Sequence, residues 1–92
     1  MVTLQGDVTV DRAVLEDVLN TLPNEVIRAK GIVRLKESPE TRSVFQLVGK
    51  RWEITPAGPW IEGESSRLVF IGFPGSIDRE GLRARFPGMT QV

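Results

Sequence analysis

In the stretch VIRAKGIVRLKE, Val26 to Glu37, cations fall on alternate positions. Side chains of a strand alternate between faces with period two, so Arg28, Lys30, Arg34 and Lys36 project from one face. Ile27, Ala29, Gly31, Val33 and Leu35 form the other, and only Ile32 interrupts the cationic row. A row of positive charge can neutralise phosphate, meet an acidic protein surface, or simply keep the wet side of a sheet in solution. Lys50, on the next strand, extends the row, with Arg51 as an outlying contributor. Trp52 shares the parity of Lys50 and offers an aromatic platform, a combination that single-stranded nucleic-acid binders use.

The side chains available for catalysis are few. Histidine and cysteine are both absent, so Ser–His and Cys–His nucleophilic pairs and a typical zinc site are excluded. Gly49-Lys50 is the core of a phosphate loop in dipeptide form only. A Walker loop requires Gly five positions earlier and Ser or Thr after the Lys, where this chain has Val44 and Arg51. Glu16 with Asp17, or Glu62 with Glu64, are the nearest approach to acid–base pairs, and each fits a solvated helix face or loop better. No catalytic, cofactor-binding or metal-ligating residue is assigned, and the chain is read as a non-enzyme. The candidate interaction surface is Arg28, Lys30, Arg34, Lys50, Arg51 and Trp52.

Twelve Lys and Arg balance twelve Asp and Glu, so the net charge of zero gives no global attraction to nucleic acid or anionic lipid, and any basic surface is local. Ninety-two residues allow one domain with one core, and 40% hydrophobic with 26% charged residues is an ordinary globular composition. No apolar run approaches the ~20 residues of a membrane span, and a cytoplasmic domain is expected.

The elements that must hold the cationic row follow from periodicity. MVTLQGDVTV alternates as a half-buried strand. DRAVLEDVLNTLP places Val14, Leu15, Val18, Leu19 and Leu22 at helical spacing behind an Asp11 cap, giving a helix from Arg12 to Leu22 stopped by Pro23. ESPET is a hairpin loop, and RSVFQLVGKRWEI is one long strand with Phe45 and Leu47 on one face, Val44 and Val48 on the other, and a twist near Gly49. TPAGPWIEGESS is the loosest segment, tacked down by Trp60 and Ile61. SRLVFIGF, apolar on both faces, is a central strand, and a short helix runs from Arg79 to Phe86. VDRAVL and IDREGL repeat one cap pattern, so two strands each lead into a helix. The predicted order is β-α-β-β-β-α, an α+β two-layer sandwich with a mostly antiparallel four-stranded sheet and both helices on one face.

LPNEVIRAKGIVRL, VFQLVGKRWEI, a Trp-bearing loop, SSRLVFIGF and the closing DREGL together resemble the C-terminal domain of the CobW family. The resemblance spans residues 1–92 and is most specific in RAKG and RLVFIG. It implies an accessory domain attached to a P-loop GTPase linked to cobalamin synthesis, metal homeostasis and metal-chaperone roles. GTP and a divalent metal are implied for the full-length family protein. Neither carries over to residues here, because the GTPase half with its Walker loop and Cys-x-Cys-Cys motif is not in this sequence. The implied partners are the GTPase domain in cis or a metalloprotein client, with no membrane. The alternative is a freestanding protein-binding or single-stranded nucleic-acid-binding module that uses the basic sheet face.

Overall fold

Strand β1 (Val2–Gly6) follows the alternation of the opening segment, with Val2 and Leu4 buried, in a computed structural model that describes residues 1–92. β1 ends at Gly6, where a Cβ would come within 2.7 Å of the Gly88 carbonyl oxygen. Val10 then rejoins the sheet through a parallel bridge to Leu35. Asp11 accepts a hydrogen bond from the Ala13 N–H at 2.9 Å and so caps α1 (Arg12–Thr21), whose Leu15, Val18 and Leu19 are buried. Leu22 takes extended angles before Pro23, as the pyrrolidine ring demands of its predecessor. Asp78 caps α2 (Arg79–Ala84) in the same way by accepting from the Gly81 N–H at 3.1 Å. Both copies of the Asp-Arg pattern therefore start helices.

Between the helices run β2 (Val26–Arg34), β3 (Thr41–Val48), β4 (Arg51–Pro59) and β5 (Ser66–Gly72), and β6 (Thr90–Gln91) follows α2. The sheet has six strands in the order β4-β3-β2-β5-β1-β6, with every neighbouring pair antiparallel. The α+β class and the central place of β5 agree with the sequence, but the strand count of four does not.

RSVFQLVGKRWEI is two strands rather than one. Val48 pairs with Arg51, which leaves Gly49-Lys50 as a two-residue turn, and Gly49 has a φ of 64°. Glycine with positive φ in the first turn position is the type II′ hairpin, whose twist suits the flanking strands. TPAGP, expected to be loop, is the outer half of β4. It tolerates proline because β4 is an edge strand, where a missing N–H leaves no ladder bond unmade. The register shifts between Thr41 and Ser43, and Gly58, at φ 91°, absorbs the extra residue. The final correction is β6, which adds a short rung to β1.

The core lies between one sheet face and both helices. Leu15, Val18, Leu19, Leu82 and Phe86 from the helical layer share a cluster with Leu4, Ala29, Val33, Phe45, Leu47, Leu68 and Phe70 from the strands. Gly31 is fixed by this packing, since a Cβ there would overlap the Phe45 ring and the Arg67 carbonyl oxygen. A bulge between Val26 and Arg28 shifts the register of β2 against β5. Val26 is therefore buried and Ile27, assigned to the core row by strict alternation, is 45% exposed.

Candidate functional site

The side of the sheet away from the helices is uncovered, and the strand registers set its rows. Arg51, Val48, Arg28 and Ile71 form one row across β4, β3, β2 and β5. Glu53, Gln46, Lys30 and Val69 form the next, followed by Thr55, Val44, Ile32 and Arg67. Arg34 and Arg42 pair at the far end. None of these residues belongs to the hydrophobic core cluster.

The predicted surface residues divide into three groups. Arg28, Lys30 and Arg51 lie on this face and are exposed, and Lys50 is exposed in the adjoining turn. They meet at one corner of the sheet, and none takes part in an ion pair within the chain. Arg34 shares the face but is engaged. Its Nε donates to the Pro39 carbonyl at 2.7 Å, and its guanidinium carbon lies 5.7 Å from the centre of the Trp60 ring.

Trp52 is on the opposite side. It packs against the core and donates from Nε1 to Asn20 Oδ1 at 2.7 Å, tying β4 to α1. The Gly49-Lys50 turn is the cause: pairing Val48 with Arg51 turns Arg51 and Glu53 outward and Trp52 and Ile54 toward the helices. Trp52 is thus no platform for the cationic face. Lys36 also leaves the row, because β2 ends at Arg34 and the Lys36 N–H donates to the Val10 carbonyl at 2.9 Å.

Three other residues share the site. Val48, 49% exposed, stands between Arg51 and Arg28, and Ile71 flanks Arg28 on the other side. Their signal was present in the alternation of Val44 and Val48 and in the two-sided apolar pattern of SRLVFIGF. Glu64 lies in a loop, as the sequence predicts, but is not free in solvent: it accepts from Arg42 Nε through both oxygens at 3.1 and 3.2 Å. Chemically the face can pair charge and bury modest apolar area. No group of three or more Asp or Glu side chains is placed to hold a metal ion, and no helix is long and apolar enough to cross a membrane.

Residues 1–90 match the family model of the cobalamin synthesis protein CobW C-terminal domain. Among solved structures, the chain is similar to Zn(II)-bound YjiA GTPase from E. coli, with 27% identity, a TM-score of 0.76 and 94% of this chain covered. A Zn(II)-bound triple mutant of YjiA GTPase gives 27% identity and a TM-score of 0.77 over the same share. In both cases the match spans 28% of the GTPase chain. No curated protein matches the chain at a significant level. With a family match across all but the last two residues and the same fold in a GTPase, the chain belongs to the CobW C-terminal domain family.

Proposed function

We propose that the chain serves as the non-catalytic accessory domain of a CobW-like GTPase involved in metal homeostasis or cobalamin synthesis, contacting the GTPase domain or a metalloprotein client. The observation that carries this reading is the match of 94% of the chain to 28% of a GTPase. GTP and a divalent metal have no fitting residues in this chain: a Walker loop is missing at Gly49-Lys50, and no ligand cluster is formed. The contribution of the domain is contact. The contact surface is the open sheet face at its basic corner, where Arg28, Lys30 and Arg51 are exposed and without intramolecular ion pairs. Charges so placed act mainly on specificity and association rate.

The test is binding of the separately expressed GTPase half to the chain and to its Arg28→Ser/Lys30→Ser variant. The variant is expected to keep the wild-type circular dichroism spectrum and to associate more slowly, with a weaker salt dependence. Unchanged binding would remove the basic corner from the contact.

A further inference from the structure

The open face carries its own example of what its cations bind. After β4 the chain folds back toward the sheet, anchored by the Trp60 N–H donating to the Glu40 carbonyl at 2.8 Å. The Trp60 ring lies against the Arg34 guanidinium, and Glu64 pairs with Arg42. The side chains of that pair are only 26% and 21% exposed. An aromatic ring and a carboxylate from one short segment therefore engage two neighbouring arginines.

At the opposite corner the same face lacks such a segment. Arg12, Arg34, Arg42, Arg67, Arg83 and Arg85 each donate a side-chain hydrogen bond within the chain. Of the cations that do not, Arg28, Lys30, Lys50 and Arg51 gather at this corner, while Lys36 and Arg79 lie elsewhere. Glu53 is the carboxylate nearest in register, set apart from Lys30 by Gln46, and it forms no ion pair.

From this asymmetry we infer that the bare corner docks a protein segment combining carboxylates with an apolar or aromatic side chain, the chemistry that Trp60 and Glu64 present to Arg34 and Arg42. The inference rests on reading the open face as a contact surface, and it specifies the partner. Charge complementarity selects an anionic occupant, since the four cations here outnumber the one carboxylate in their rows, Glu53, and form no ion pair within the chain. Val48 and Ile71 select a protein over a free phosphate, which has nothing to bury against them. Strand spacing sets the pattern: Arg51 and Arg28 flank Val48 from two strands apart, a separation of about 10 Å. Two carboxylates at that spacing with an apolar side chain between them fit the row.

A synthetic peptide with the chain's own Pro59–Ser65 sequence, PWIEGES, is the probe, followed by amide NMR shifts on the isotopically labelled chain. Saturable shifts at Arg28, Lys30, Val48 and Arg51 are expected at millimolar peptide. Replacing both peptide glutamates with Gln is expected to weaken binding about tenfold, as is Arg28→Ser/Lys30→Ser in the chain. Equal binding of the Gln peptide, or no saturable shift at the corner, overturns the inference. So does an oligonucleotide that occupies the corner at moderate salt, or a dimer of the chain joined through it. Parallel binding of the GTPase half separates this inference from the accessory reading. Loss of GTPase binding in the Arg28→Ser/Lys30→Ser variant without peptide binding sinks the partner chemistry alone. Peptide binding that leaves the GTPase half unbound sinks the contact in cis alone.

Discussion

Leu68 and Arg67 are neighbours in β5, yet Leu68 has no exposed surface and Arg67 reaches only Gln5, at 3.4 Å across the open face. Ala29 and Lys30 repeat the contrast in β2, and Phe45 and Gln46 repeat it in β3. On the helix side, each residue is constrained by the shapes of residues distant in sequence. On the open side, the constraint is charge and a modest apolar strip. One strand can therefore carry stability and association on alternate residues, and substitutions on the two faces should separate in what they change.

The largest expected effect is Phe45→Ala, which removes a fully buried ring and should cost about 3–5 kcal/mol in urea unfolding. A cost under about 1 kcal/mol would mean that the helix face is not the rigid one. Gly31→Ala comes next at about 1–3 kcal/mol, because the added methyl overlaps the Phe45 ring and a backbone carbonyl. Combining it with Phe45→Leu should recover part of that loss, which a double-mutant cycle would detect. Asn20→Ala removes the acceptor of the Trp52 indole and is expected to cost about 1 kcal/mol with a shift in tryptophan fluorescence. Glu64→Gln leaves Arg42 unpaired on the open face and should cost at most about 1 kcal/mol, less as salt is raised. Arg28→Ser/Lys30→Ser sits at the bottom of the series, within about 0.5 kcal/mol of wild type. A large loss of stability there would break the division between the faces.

The parts of this arrangement that rest on local chemistry were legible in the sequence. Asp11 and Asp78 cap the helices they precede, and Arg28 and Lys30 share a face. The apolar run of β5 lies at the centre of the sheet. What escaped depends on single-residue changes of phase. A continuous strand from Arg42 to Ile54 would keep Trp52 on the Val48 face, whereas the two-residue turn reverses the parity and sends Trp52 to the core. The bulge near Ile27 exchanges that residue for Val26 by the same logic. Periodicity also cannot reveal that Arg34 and Arg42 are engaged by Trp60 and Glu64, since those partners lie across a strand and a loop. The division of the cationic row into an occupied end and a bare corner is therefore a property of the fold.

The strand order β4-β3-β2-β5-β1-β6 also has a temporal consequence. β2, β3 and β4 are consecutive in the chain and form a meander, closed by the residues between Arg34 and Thr41 and by the Gly49-Lys50 turn. β5 must instead join β2 across the whole meander, and β1 must find β5 with Val2 opposite Phe70. Closing long loops costs more entropy than closing short ones, so the basic corner on the meander is expected to gain protection from hydrogen exchange before the edge formed by β1 and β6. Pulse labelling during refolding would show this order as early protection at Ala29, which faces β3, and at Gln46, and late protection at Leu4.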